Sequence, residues 1–298
     1  MIKPELVGSF VALATPFRGG ALDEAAYRAL CESLLAQGTD GLVPCGTTGE
    51  TPTLDEAEQR RCVAIAVEVG HKAGKPVIAG AGSNSTAQTA RNVAAVRDAG
   101  ADGALVVTPY YNKPTQAGIV EHYRAVAKAV PGFPIVAYVV PGRTGVDLLP
   151  DTYVALAEVE EVVAVKEATA SLQRVIDIRE KVGDRFTLLS GDDFTVLPFI
   201  AAGGKGVISV SANVAPRHMA DLVHKALAGD LAEAGRIQVA MNALHRALFV
   251  ESNPIPVKAA LHMQGLFADE VRLPLLPAAA GTRKLLEDSL RSLGVLAS

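Results

Sequence analysis

Short runs of Val, Ile, Leu and Ala recur along the chain at 10–15, 41–45, 76–80, 104–108, 135–140, 162–166, 186–190 and 206–210. Near-continuous apolar runs of this length mark strands buried on both faces, as in parallel sheets. Between them the period changes. Segment 23–37 carries its apolar residues on one helical face, with Asp23 placed as N-cap and Gly38 just past the end. Thr53-Leu54-Asp55-Glu56 and Ser85-Thr86-Ala87-Gln88 both read as capping boxes that open helices. Further helices are predicted over 116–129, 151–158, 171–182, 193–202 and 216–228. Eight strand-then-helix units predict an α/β fold, a (β/α)8 TIM barrel, as the catalytic domain over residues 1–229.

Residues 230–298 change character and predict a C-terminal helical domain packed on the barrel or on a neighbour. Segment 231–250 is helical by spacing, with apolar residues at Leu231, Ala234, Ile237, Met241, Leu244 and Leu248. Pro254 and Pro256 interrupt the pattern before 257–264, and 282–293 is a last helix with Gly294 as its stop. No low-complexity linker divides the two parts.

Composition narrows the function. At 298 residues and 49% apolar, the chain has enough material for one large barrel core and an appendage. A net charge of −4 and the absence of a Lys/Arg-rich run give a nucleic-acid role no electrostatic support. No apolar stretch reaches the roughly 20 residues of a membrane helix, and the N-terminus lacks the pattern of a signal peptide. Cys31, Cys45 and Cys62 are odd in number and not in metal-ligand spacing, which fits a reducing cytoplasm. The six histidines (71, 122, 218, 224, 245 and 262) form no ligand pair and read mostly as exposed helix residues; no metal site is expected. Gly203-Gly204-Lys205-Gly206 precedes a strand and reads as a turn, not a phosphate loop. No nucleophile elbow for serine hydrolysis is present.

In a barrel of this kind the chemistry sits where the strands end. Lys166 closes the run Val162-Val163-Ala164-Val165. An ammonium at the end of a buried strand is costly to desolvate, and burial favours the neutral amine. A neutral lysine amine attacks ketones and aldehydes to form a Schiff base. A strand-end salt bridge is the simpler alternative for a lysine there. The second strand ends in Gly46-Thr47-Thr48-Gly49-Glu50, where the hydroxyls and N–H groups of Thr47 and Thr48 suit a carboxylate; a capped turn is the alternative. The fourth ends in Thr108-Pro109-Tyr110-Tyr111-Asn112. The fifth carries Tyr138 and then Pro141-Gly142-Arg143, whose guanidinium fork suits a second carboxylate or a surface acid. The seventh ends in Ser190-Gly191-Asp192-Asp193, with Asp193 placed to cap the next helix, and the eighth contributes Ile208. No carboxylate is placed as a general base, so a phenol is the candidate proton carrier. This set suits Schiff-base carbon–carbon chemistry better than hydrolysis.

These residues resemble the dihydrodipicolinate synthase / N-acetylneuraminate lyase family of class I aldolases, over nearly the whole chain. The likeness lies in Gly46-Thr47-Thr48-Gly49-Glu50, Pro109-Tyr110-Tyr111-Asn112-Lys113-Pro114, Val165-Lys166-Glu167-Ala168, Ser190-Gly191-Asp192-Asp193, Gly206-Val207-Ile208-Ser209-Val210 and Asn253-Pro254-Ile255-Pro256-Val257-Lys258. The resemblance implies a covalent imine between Lys166 and pyruvate, with no separate cofactor. It implies that Thr48 holds the pyruvate carboxylate and that Tyr138, Thr47 and Tyr111 relay protons. Tyr111 would come from a neighbouring subunit of a homotetramer built as a dimer of dimers. The Ile208 carbonyl would help position the intermediate, and Gly191 is a further substrate-contact candidate. Arg143 resembles the synthase branch, which implies condensation of pyruvate with L-aspartate 4-semialdehyde in lysine and diaminopimelate biosynthesis. The alternatives are a related aldolase or dehydratase acting on a sugar acid or aromatic aldehyde, and a silent barrel that only binds a keto acid.

Two departures stand out. Val139 occupies a position that is usually Asn in the family, and strand alternation should turn it away from Tyr138. At the family's lysine-inhibition site Asn84 and Tyr110 match, whereas Glu56, Gln59 and Gln88 replace residues typical of sensitive members. Weak or absent lysine feedback is therefore expected.

Overall fold

The structure, a computed structural model, describes residues 6–296. The eight strands are β1 (Gly8–Ala12), β2 (Gly41–Val43), β3 (Ile78–Gly80), β4 (Gly103–Val107), β5 (Ile135–Val139), β6 (Val162–Glu167), β7 (Thr187–Ser190) and β8 (Gly206–Ser209). They pair in parallel in the order β2-β1-β8-β7-β6-β5-β4-β3. A parallel bridge between Leu42 and Val77 joins the two ends, so the sheet closes into a barrel without free edges.

A main helix follows each strand, with an extra one-turn helix, Pro141–Thr144, after β5: α1 (Glu24–Ala36), α2 (Glu56–Lys72), α3 (Thr86–Asp98), α4 (Gln116–Ala129), α5 (Pro150–Leu156), α6 (Leu172–Val182), α7 (Val196–Ala201) and α8 (Pro216–Leu227). The continuous apolar runs resolve into two buried layers. Phe10, Ala12, Val43, Ile78, Leu105, Val136, Tyr138, Ala164, Leu189 and Ile208 pack together inside the barrel. Their strand neighbours Val11, Leu42, Val139, Val165 and Val207 pack outward with the helices. Alternation along each strand therefore serves two cores, and both demand apolar side chains. The floor is close-packed. A Cβ at Gly41 would lie 2.2 Å from the Phe10 ring, so the ring's seat requires glycine there.

Several local expectations change. β1 begins before its predicted start and ends before its predicted end, and the short hairpin of Phe17–Arg18 with Ala21–Leu22 was not predicted. Asp23 does cap α1, accepting from the Ala26 N–H. The box that opens α2 is Asp55 with Glu58, not Thr53 with Glu56, because Thr53 belongs to the preceding turn Thr51–Thr53. Ser85 caps α3, but the Gln88 amide bonds Asn92 at 2.7 Å, leaving half a box. Asp193 does not cap a helix through its side chain; it accepts from the N–H groups of Val210 and Ser211 at 3.1 and 2.8 Å. His71, His224 and His262 are exposed as expected, whereas His218 is half-buried and His122 and His245 are buried.

Three helices follow the barrel: α9 (Leu231–Leu248), α10 (Ile255–Met263) and α11 (Ala280–Ser292). Pro256 sits in the first turn of α10, where a missing N–H costs nothing, rather than before it. This segment reaches the loops at the C-terminal end of the barrel. Glu270 accepts from the N–H groups of Gly19 and Gly20 at 2.8 and 3.0 Å, and the Arg272 guanidinium bonds Glu58.

Candidate active site

Lys166 projects from β6 directly opposite Tyr138 on β5, its partner in register. It is only 6% exposed, and its Nζ lies 4.4 Å from the centre of the Tyr138 ring. Among the described residues it forms no ion pair, so the strand-end salt bridge is not what this lysine makes. Alternation turns the adjacent Glu167 to the other face. There its carboxylate accepts from the Thr169 N–H at 2.7 Å and the Tyr153 hydroxyl at 3.2 Å, and burial pushes its carboxyl up from the usual value. The nearest carboxylate in sequence is thus held out of the site.

Gly191 continues the ladder beyond β7, its N–H donating to the Glu167 carbonyl at 2.7 Å. A Cβ there would lie 3.0 Å from Lys166 Cε and 2.6 Å from Ala168 Cβ, so the lysine stem needs the bare backbone beside it. Ile208, on β8, is buried in the same inner layer as Tyr138.

Thr47 and Thr48 lie in a single tight turn, Thr47–Gly49, after β2. The flanking Cys45 and Glu50 take φ of 56° and 54°, a left-handed backbone that must be held by its surroundings. The Thr51 hydroxyl supplies part of that hold by donating to the Cys45 and Gly46 carbonyls, and the Thr15 hydroxyl donates to the Gly49 carbonyl at 2.8 Å. Below the turn Glu50 is ion-paired with Lys258 of α10, both side chains almost fully buried. Burial pushes the Lys258 ammonium below the ordinary lysine value while Glu50 pulls it back.

Arg143 sits in the one-turn helix Pro141–Thr144 and donates from Nη2 to the Asn253 carbonyl at 3.2 Å. It forms no ion pair among the described residues, so the surface-acid alternative does not apply. The Asn253 side chain donates from Nδ2 to Thr48 Oγ1 at 3.0 Å. Asn253 thus touches two predicted binding residues, yet it was not singled out as a site residue. The signal available was its position in the motif 253–258, which a helical reading of the tail does not link to the barrel. Tyr111 is not gathered with the others. It stands 88% exposed on the loop after β4, with φ of 70°.

Glu56, Gln59 and Gln88 line a cavity of about 180 Å³ between α2 and α3, together with Arg60 and Arg91. The Gln88 amide oxygen accepts from Arg91 at 2.5 Å. No group of three or more His, Cys, Asp or Glu that could hold a metal occurs among the described residues, and no helix among them is long and apolar enough to cross a membrane.

With this geometry in hand, comparison with known proteins is decisive: residues 5–293 match the model of the dihydrodipicolinate synthetase family. The chain belongs to that family. It is 49% identical over 290 residues to the 4-hydroxy-tetrahydrodipicolinate synthase of Nitratidesulfovibrio vulgaris, covering 97% of this chain and 99% of the relative. It is 52% identical over 291 residues to the enzyme of that name from Anaeromyxobacter dehalogenans, covering 97% and 98%. Among solved structures it is similar to the chloride inhibited dihydrodipicolinate synthase from Acinetobacter baumannii complexed with pyruvate, at 42% identity and a TM-score of 0.95, covering 98% and 100%. Within the family frame, the Val139 departure falls in the outer layer, fully buried and on the opposite side of β5 from Tyr138.

Proposed function

We propose that this member of the dihydrodipicolinate synthetase family condenses pyruvate with L-aspartate 4-semialdehyde to 4-hydroxy-tetrahydrodipicolinate, an entry step to lysine and diaminopimelate. The observation that carries the reading is Lys166, buried at the mouth of the barrel, without an ion-pair partner among the described residues and against a phenol. Its amine attacks the keto carbon of pyruvate, water leaves, and an imine forms. A proton then leaves the methyl carbon to give the enamine. Tyr138 carries protons in both steps, with Thr47 and Tyr111 completing the relay. The enamine carbon adds to the aldehyde, whose oxygen takes up a proton. The amine of the aspartate moiety then displaces Lys166 by transimination and closes the ring.

Thr48 holds the pyruvate carboxylate. Arg143, paired with no acid among the described residues, is available to the carboxylate of the aldehyde substrate, which favours an amino-acid aldehyde over an uncharged acceptor. Gly191 leaves room beside the lysine, and the Ile208 carbonyl borders the intermediate. The imine makes a separate cofactor unnecessary. We place the enzyme in the cytoplasm as a homotetramer in which Tyr111 crosses between subunits. Borohydride reduction in the presence of pyruvate, read by peptide mass spectrometry, should put a three-carbon adduct on Lys166. Turnover with L-aspartate 4-semialdehyde should be measurable when coupled to a downstream reductase. Lys166→Ala should lose both the adduct and turnover; normal turnover in that variant would remove Lys166 from the mechanism.

A further inference from the structure

A hydroxyl has one hydrogen and two lone pairs, so what it offers a substrate depends on what its protein neighbours already use. The Thr48 side chain accepts from the Asn253 Nδ2 at 3.0 Å, and both residues are buried. Among the described residues no protein acceptor takes the Thr48 hydrogen. The amide therefore occupies a lone pair and leaves the hydroxyl hydrogen free to be donated to an anion. The same residue serves Arg143 by a separate group, its backbone carbonyl, at 3.2 Å.

We propose that Asn253 is a positioning residue for the keto acid: its side-chain amide sets the Thr48 hydroxyl to donate to the substrate carboxylate, while its backbone carbonyl independently steadies Arg143. This rests on the reading of Thr48 and Arg143 given above. It makes the segment after α9 part of the substrate site rather than a distant appendage. It also separates the two grips chemically, because a side-chain change at Asn253 disturbs Thr48 and leaves the carbonyl facing Arg143 in place.

The test is the split between the two Michaelis constants in Asn253→Ala and Asn253→Asp. Alanine removes the donor. Aspartate has nearly the same shape, but its ionised carboxylate only accepts, so it takes the Thr48 hydrogen and sets a negative charge beside the incoming carboxylate. The pyruvate KM should rise about 10-fold in Asn253→Ala and about 100-fold in Asn253→Asp, the loss of one hydrogen bond and its reversal with added charge. The aldehyde KM should stay within about twofold in both, because the backbone contact to Arg143 persists. In a Thr48→Val background, Asn253→Ala should add no further penalty, and this cycle decides the matter even where Asn253→Asp does not fold. An unchanged pyruvate KM, an equal rise in both constants, or full additivity with Thr48→Val would overturn the proposal. Borohydride trapping at saturating pyruvate distinguishes the two levels. A variant that still forms the Lys166 adduct leaves the condensation reading intact whatever the KM values, whereas an unmodified wild-type lysine would remove that reading itself.

Discussion

Lys166 has a neighbour without a side chain, and the chemistry depends on that gap. An added methyl at position 191 would press on Lys166 Cε at 3.0 Å and on Ala168 Cβ at 2.6 Å. Gly191→Ala should fold, since its φ is not in the left-handed region, yet it should displace the amine from its place against Tyr138. A loss of kcat of about 100-fold is expected, the scale that follows from ångström misplacement of a reacting group. Wild-type rates in a folded Gly191→Ala protein would show that the lysine stem has slack here. His122 gives a prediction of another kind. Burial pushes its imidazole from its ordinary value of 6.5 down to about 4. Between those values the unfolded chain holds the extra proton and the folded one does not, so stability is present above about pH 6.5 and is lost as pH falls toward 4. His122→Gln keeps a polar group beside the Thr86 hydroxyl, which lies 3.0 Å from the His122 Nδ1. That variant should flatten the melting temperature against pH in this window; an unaltered slope would assign the acid sensitivity elsewhere.

The elements that meet at the active site are joined by pairs far apart in the chain. Lys258 of α10 and Glu50 after β2 form one such pair, buried on both sides, with the Lys258 Nζ also 4.1 Å from the centre of the Phe17 ring. Lys258→Met should cost about 3–5 kcal/mol, the usual penalty for leaving a buried charge without its partner. Adding Glu50→Gln should return much of that loss, and thermal melts of the three variants would show it. No recovery in the double variant would mean that the lysine acts through packing alone. The strands and most helix bounds were legible because burial on two faces and helical periodicity are local signals. Lys166, Tyr138 and the threonine turn were legible for the same reason, as each lies at a strand end. Asn253 was not, because its partner Thr48 is 205 positions away and nothing periodic links them. Asp193 misled in the opposite sense: an Asp before a helix fits the pattern of a cap, yet its carboxylate reaches to the turn after β8. Between α2 and α3, the Gln88 amide oxygen is already taken by Arg91, and Arg60 and Arg91 both line the cavity. The two guanidinium groups outnumber the single carboxylate of Glu56 in the lining, so a cationic lysine side chain finds poor electrostatics there. Inhibition by L-lysine should be weak or absent, and a half-maximal effect in the micromolar to low millimolar range would contradict this.

For the whole molecule, the residue that does not fit a single chain is Tyr111. Every other member of the proposed proton relay is at least partly enclosed by the barrel mouth, whereas Tyr111 is 88% exposed on a backbone with φ of 70°. A non-glycine residue held at positive φ costs free energy that the surroundings must offset, and an exposed aromatic ring adds to the cost. Both are accounted for if the ring is covered by a second copy and enters its active site. In a two-fold dimer each site would then take Lys166 from one protomer and Tyr111 from the other. Lys166→Ala and Tyr111→Phe should each be severely impaired alone. In a mixed dimer, the protomer bearing Phe at 111 keeps its lysine and receives an intact tyrosine from its partner. Co-refolding the two variants in equal amounts should therefore restore about a quarter of wild-type activity, since half the dimers are mixed and each has one complete site of two. Sedimentation should show at least a dimer under the same conditions. No restoration, in variants shown by mass spectrometry to have exchanged subunits, would place Tyr111 in its own protomer's site or outside the chemistry altogether.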